Sequence, residues 1–368
     1  MDYNWQQSDW PYFRYDLKSV RLEIEKFVEN ALYLKGLYDG LHPELQLNAA
    51  IDIMVEEAMK TSEIEGEFVS RKDVRSSIRN QLQVGPPIQN IRDHRAKGVA
   101  TMMVQVREGF AMELSATMLF AWHKSLFPRA NQIHVGAWRT HSEPMQIVSS
   151  DIVEPEVHFE APPSAQVPDE MNRYIQWFND AKSDGKHMLH DAPVRSAIAH
   201  IYFESIHPFE DGNGRIGRAL SEKILSQHVG QPVLLSLSKT IQHHKIEYYE
   251  KLKENQKANE ITSWVEYFIR LITTSQENTK QTIELIIKKT RFFDRHKTEL
   301  NPRHEKVLRR MLEEGPDGFE GGMSAKKYQS LTKVSKATAT RDLQYLAAIG
   351  ALVSIGEGRG VRYQVHLT

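Results

Sequence analysis

Apolar residues along this chain recur mostly three and four positions apart, the period of a helix with one buried face. LKSVRLEIEKFVENALYLKGL, within residues 17–40, reads as one amphipathic helix. Residues 44–64 read as a second, with Ala50, Ile53, Met54, Ala58 and Met59 as its buried stripe and Gly66 as its stop. A short helix follows over 70–85, with Ser70 as cap and Gly85-Pro86-Pro87 as stop. The period then predicts helices over 88–110, 114–127 (capped by Ser115), 167–182, 190–206, 214–228, 239–258 and 261–290, the last closing a core around Trp264 and Phe268.

Two stretches depart from that period. Residues 131–160 are rich in β-branched and polar residues and, with the stretch that follows, carry Pro144, Pro155, Pro162 and Pro163; a short hairpin is expected, with Met145, Gln146, Ile147 and Val148 as one strand. Beyond a helix at 303–313 and a Gly-rich break at 315–322, the C-terminal stretch predicts helix, turn, helix and two strands joined by Gly356 to Gly360. Ser335 is placed to cap its second helix, with Leu343, Leu346 and Ile349 facing inward. Residues 1–16 carry Trp5, Trp10, Tyr12, Phe13 and Tyr15 without a period, and read as an extended arm packed on the body or, more sharply, as a partner-binding segment. The pattern thus gives a mainly α protein in three parts: arm and first helix at 1–45, helical core at 46–290, and a small domain at 291–368.

Composition adds limits. The chain has 368 residues, enough for two or three domains, and a net charge of -1, which implies no global attraction to nucleic acid or membrane. There is no cysteine, which excludes disulfides and thiolate metal sites and fits a reducing cytoplasm. The N-terminus has neither the basic nor the apolar region of a signal peptide, and no apolar run reaches the length of a membrane span, so a soluble cytoplasmic protein is expected.

The candidate chemistry lies in HPFEDGNGRIGR, His207 to Arg218, between two predicted helices. Gly212 and Gly214 permit a sharp turn and close approach to a ligand. The N–H groups at the helix start beyond them, near Asn213, favour an anion such as phosphate. Arg215 and Arg218 project from neighbouring parts of one helix face, and two guanidinium forks suit a polyphosphate. Asp211 is a hard oxygen ligand suited to a Mg²⁺ that also binds phosphate. His207 can take a proton near neutral pH. Singly, each has a bland reading as a turn or a solvated side chain; together they describe transfer from a nucleotide to a hydroxyl. His200 and His123 read as structural, and the adjacent His243 and His244 cannot share one helix face for a metal.

This string resembles the motif of the Fic family, HxFx(D/E)GNGRxxR, at every fixed position, and the resemblance extends over roughly residues 50–270. It implies an all-helical core and transfer of AMP from ATP to a Ser, Thr or Tyr hydroxyl of a protein. It also implies His207 as general base, Asp211 as Mg²⁺ ligand, residues 212–215 as phosphate cradle and Arg218 as γ-phosphate partner. Thr61 to Gly66 is similar to the family's inhibitory motif (S/T)xxxE(G/N), which implies a Glu65–Arg218 pair; the bland reading of Glu65 is a solvated acid at a helix end. The hairpin at 131–160 resembles the flap that holds a target segment by strand pairing. Tyr248 and Tyr249 resemble paired tyrosines at the nucleotide site, Tyr249 being our candidate contact, with ordinary packing as the alternative. The arm resembles an extension found in a subset of Fic proteins.

The C-terminal domain resembles a winged helix with GEGRG as its wing. Lys336, Thr338, Thr340, Arg341 and Gln344 could reach a DNA groove and Arg359 a phosphate, although Asp342 shares that face; a docking or dimerising module is the equal alternative. Expected partners are therefore a target protein, the chain itself as substrate or second subunit of a homodimer, and DNA, with no membrane. Two other functions stay open: a Fic-type transferase of another phosphate-containing group, and a DNA-binding regulator that uses the helical core to sense nucleotide.

Overall fold

The computed structural model describes all residues except 1–2, 89–90, 130–132, 149–156, 183–184, 186–188, 190, 313–318, 320, 357 and 368; the side chains of Val148 and Arg359 also lie outside the description. Among the described residues there are fourteen α-helices and two two-stranded antiparallel sheets. The chain divides into two units, one of residues 1–36 and 46–279 and one of 37–45 and 280–368.

In chain order the first elements are α1 (Leu17–Asp39), α2 (Pro43–Ile64), α3 (Arg71–Gln81), α4 (His94–Glu108) and α5 (Ala116–Leu126). Side-chain caps set several starts. Ser70 accepts from Asp73 N at 3.3 Å and Ser115 from Met118 N at 3.2 Å. α4 begins at His94 rather than at 88 because Asp93 caps it, accepting from the Arg95 and Ala96 amides. The expected stripe of α2 is buried at Ala50, Ile53, Met54 and Ala58, while Met59 is half-buried; Ile51 and Val55 join it, so α2 is enclosed on more than one side.

Next come β1 (Gln146–Val148), β2 (Val157–Glu160), α6 (Val167–Asp180), α7 (Ala192–Ile206) and α8 (Asn213–Val229). Every residue of α7 is buried. A helix enclosed all round joins two cores rather than bordering one. Tyr202, Phe203 and Ile206 pack with α4, α5 and α6, and Ile198 and Ile201 pack around Trp264 and Phe268. Two polar groups of α7 find internal partners: His200 Nε2 lies 2.7 Å from the Tyr248 hydroxyl, and Ala197 O accepts from the Trp264 indole at 2.8 Å. The fully buried Lys223 of α8 donates to the carbonyls of Gly109, Phe110 and Met112 at 2.6, 2.9 and 2.6 Å, tying down the turn after α4.

One helix was expected over 239–258, but there are two, α9 (Leu237–His243) and α10 (Lys245–Asn255). His244 leaves the helical region at φ -119°, ψ 32°, and α10 sets off separately with Tyr248 buried against His200. α11 (Thr262–Arg295) is longer than expected and runs past both Thr279, where the first unit ends, and residue 291.

The N-terminal arm packs on the body, as the bland reading has it. Asn4 is fully buried, its Nδ2 donating to Ser205 Oγ at 2.8 Å and its N to Gln256 O at 2.8 Å. The Trp5 indole donates to Glu160 O at 2.7 Å, and Tyr3 packs edge-on against Phe159, both in β2.

The second unit contains α12 (Pro302–Leu312), α13 (Ala325–Thr332), α14 (Lys336–Ala348), β3 (Leu352–Ile355) and β4 (Arg362–Val365) around Val307, Leu308, Leu343 and Leu346. Ser335 caps α14 through Thr338 N. Most of the 315–322 break, Glu357 and the Arg359 side chain lie outside the described residues. One expectation is corrected: Asp342 does not share the outer face of α14. It is buried and accepts from Arg303 at 2.6 and 3.1 Å and from the Tyr328 hydroxyl at 2.8 Å, because a carboxylate among paired donors is stable inside. Lys336, Thr340, Arg341 and Gln344 are exposed and Thr338 is half-buried. Among the described residues no helix is long and apolar enough to cross a membrane.

Two outcomes follow for stability. Lys223→Met is expected to lower unfolding free energy by about 3 kcal/mol in urea titration, since it strands three inward carbonyls. His200 is held down to about 3 by burial and by Arg218. Its folded value lies below its unfolded one, so the stability it contributes is present above about 6.5 and is lost as pH falls toward 3. The unfolding free energy of His200→Gln from urea titration should fall less steeply over that window, by at most about 1.4 kcal/mol per pH unit.

Candidate active site

The site grows from the end of α7. His207 closes that helix in the left-handed region, at φ 50° and ψ 60°, where a side chain is strained unless held. Arg139, 1% exposed, holds it: Nε donates to His207 O at 2.8 Å, and its Nη groups reach Ser164 Oγ and the carbonyls of Pro162 and Ile206. Asn213 then closes the loop, accepting from Phe209 N at 2.9 Å and donating to Phe209 O at 2.8 Å. The His123 ring stacks on Phe209 and its Nε2 lies 3.1 Å from Asp211 O, so this packing histidine also supports the loop. Gly212, at φ 85°, starts α8. A Cβ there would come within 2.9 Å of the Phe127 ring, so both backbone and space require glycine.

This loop directs the first turn of α8, whose amides have no intrahelical acceptors, toward the end of α2. There the Glu65 carboxylate accepts from Arg218 Nη2 at 2.7 Å. Thr61 accepts from the same guanidinium twice, its Oγ1 from Nε at 2.9 Å and its O from Nη2 at 3.0 Å. The expected Glu65–Arg218 pair is therefore present. Gly214 makes room for it: a Cβ there would lie 2.6 Å from Glu65 Oε1. Burial by itself would raise the Glu65 carboxyl, but the charges of Arg218, Arg215 and Lys245 outweigh it and hold the group below its usual range. Lys245 donates to Ile64 O, pinning the helix end that carries this carboxylate.

Arg215 is taken as well. Its Nη1 donates to Glu67 Oε2 at 2.8 Å and its Nη2 to Asp211 Oδ1 at 3.3 Å, with the guanidinium 4.9 Å over the Phe127 ring. Both arginines expected to meet phosphate thus meet carboxylates of the segment after α2. Glu67 escaped the sequence reading, which stopped at Gly66.

His207 is half-buried, and desolvation followed by the charge of Arg139 lowers its pKa to about 4, which favours the neutral imidazole. Asp211 lies at the loop edge with its side chain 53% exposed. Among the described residues no three His, Cys, Asp or Glu side chains gather to hold a metal. A half-open single carboxylate beside the open amides of a helix start fits Mg²⁺, which takes one or two carboxylates and otherwise phosphate and water.

Of the two tyrosines, Tyr248 is buried and bonded to His200, so packing explains it. Tyr249 is 39% exposed, with its ring 5.1 Å from that of Tyr248 and burial and Glu65 raising its hydroxyl. In the flap, Gln146, Ile147 and Val148 pair with Glu160, Phe159 and Val157, and Met145 O accepts from Ala161 N at 2.9 Å. Residues 149–156, expected at the hairpin tip, lie outside the described residues. Sequence reasoning also missed Glu204; its only signal is an acid on the otherwise buried α7, three residues before His207.

Known proteins bear on this arrangement. Residues 3–84 match a family described as a domain of unknown function (DUF4172), and residues 113–225 match the Fic/DOC family. A relative in Aquifex aeolicus named "Probable protein adenylyltransferase" is 30% identical over 37% of this chain and 43% of its own length. A protein adenylyltransferase Fic of Nematostella vectensis is 24% identical over 59% of this chain and 45% of its own. The chain thus spans less than half the length of these curated relatives. A Fic family protein from Desulfovibrio desulfuricans shares the fold at a TM-score of 0.53 and 18% identity, over 97% of this chain and 98% of its own. A Fic-domain signalling protein from Bacteroides thetaiotaomicron does so at 0.54 and 18%, over 72% and 96%. With the motif loop, its flanking helices and the family match falling on the same residues, this chain carries a Fic/DOC-family domain.

Proposed function

We propose that this chain is a protein adenylyltransferase that moves AMP from ATP to a Ser, Thr or Tyr hydroxyl of a target protein and restrains itself through Glu65. The observation that carries the reading is the half-buried His207 beside the start of α8, the helix that also carries Arg215 and Arg218. The names of the curated relatives support it.

In this reading the amides of Gly212 to Arg215 and the two guanidinium groups hold the triphosphate, Arg218 taking its γ end. The flap aligns the target by strand pairing along Met145 to Val148. His207 takes the hydroxyl proton as the oxygen attacks the α-phosphorus. The bond to the β-phosphate oxygen breaks, and pyrophosphate leaves with its electron pair. Asp211 is the residue that would hold Mg²⁺, whose chemistry is neutralisation of phosphate charge. Tyr249 flanks the base. With Glu65 on Arg218, the γ-phosphate loses its partner and the α-phosphorus its alignment, and small misplacements cost large factors in rate. The second unit we read as a winged helix, and the exposed Lys336, Thr340, Arg341 and Gln344 favour DNA as a further partner.

Labelled ATP incubated with the full chain and a lysate tests the reading. His207→Ala should lose at least about 100-fold in transfer while keeping its melting temperature; retention of most activity would refute the assignment. Glu65→Gly should raise transfer or automodification at least about tenfold, and Arg218→Ala should cancel that gain, because the released guanidinium supplies it. A Glu65→Gly protein no faster than the parent at any ATP concentration would leave TSEIEG as only a helix end.

A further inference from the structure

Two buried polar atoms in the site have no hydrogen-bond partner, and they belong to neighbouring side chains. His207 Nδ1 is one and Glu204 Oε1 the other, and His207 Nδ1 lies 3.8 Å from Glu204 Oε2. A buried carboxyl oxygen without a donor is costly, and the His207 ring nitrogen, which the backbone carbonyl of Glu204 also influences, meets no acceptor at hydrogen-bonding geometry, so each is what the other lacks. The distance is beyond a hydrogen bond, but catalytic contacts are often long in an unloaded site and tighten on binding.

The neighbouring helix is shaped to leave the carboxyl there. A Cβ on Gly217 would lie 2.5 Å from Glu204 Oε1. Gly217 has ordinary helical backbone inside α8, where glycine is a poor helix former, so its use is the space it gives to Glu204.

We propose that Glu204 is a positioning residue for His207: in the loaded site its carboxyl group accepts the Nδ1–H of the imidazole and so fixes the tautomer that presents the Nε2 lone pair to the target hydroxyl. The inference rests on the transferase reading for its purpose, though not for its geometry. The groups facing this pair are Arg218 of α8, Glu65 after α2, Arg139 before the flap, Tyr174 of α6, and Tyr248 and Tyr249 of α10. In the resting site burial pushes Glu204 up to about 8, with Arg218 drawing it down and Glu65 raising it. Withdrawal of Glu65 removes one charge that raises Glu204, which favours the ionised form, the stronger acceptor.

The test uses ¹⁵N-histidine-labelled full chain, with His207 assigned by the signal missing in His207→Asn. The Glu65→Gly protein should show the Nδ1–H tautomer at His207. Glu204→Gln, whose amide can donate instead, should shift the ring toward Nε2–H. In the Glu65→Gly background it should also lower kcat at least about tenfold with the KM for ATP unchanged. The acid limb of its pH profile should move to lower pH, since loss of an anion lowers the imidazole pKa. Gly217→Ala, which is neutral or favourable for the helix, should reproduce the kcat loss by displacing the carboxyl, and it decides the matter if Glu204→Gln does not fold. An Nε2–H ring in the Glu65→Gly protein, or a tautomer and rate that neither substitution moves, overturns the proposal. Absence of AMP transfer by every protein with the tautomer shifts intact would instead overturn the transferase reading.

Discussion

The left-handed turn at His207 is the constraint on which the site depends. A histidine at φ 50° ends α7, and Arg139 holds the turn from beneath by donating to the His207 carbonyl and its neighbours. Because the strain sits at one residue between two buried helices, the loop has little freedom elsewhere. Asn213 closes it, Gly212 reverses it, and the start of α8 is aimed where α2 ends.

Around that turn two buried arginines meet carboxylates that stay partly open to solvent. Arg218 is enclosed, and its donors go to Glu65 and Thr61; Arg215 divides its own between Glu67 and Asp211. Ion pairs with one buried member add little to stability, because desolvation offsets much of the attraction, yet stranding the buried arginine is costly. The same forked donors are chemically suited to a carboxylate or a phosphate oxygen, and here they hold carboxylates.

Much of this was legible in the residues. The helical period located most elements, and the serine caps at 70, 115 and 335 were placed correctly because the side chain that caps a helix is local to it. The early start given to α4 and the single helix expected over 239–258 failed where a cap or a break outweighed the apolar pattern. His207 to Arg218 was readable because one contiguous string carries the histidine, the turn and the arginines. Glu67, Arg139 and Glu204 were not, since each acts through a partner distant in sequence or enclosed by tertiary packing. Asp342 was misplaced for the same reason: a carboxylate on a helix reads as exposed until Arg303 and Tyr328 are seen around it.

The contact of Trp5 with the flap has a directional consequence. Strand carbonyls point alternately to either side. In β2 the amide of Ala161 turns toward β1, so the Glu160 carbonyl turns away from it, and that outward carbonyl is the one the indole occupies. A two-stranded ribbon begins with two open margins; here the N-terminal arm takes part of one. The aromatic arm thus makes the two margins of the ribbon unlike.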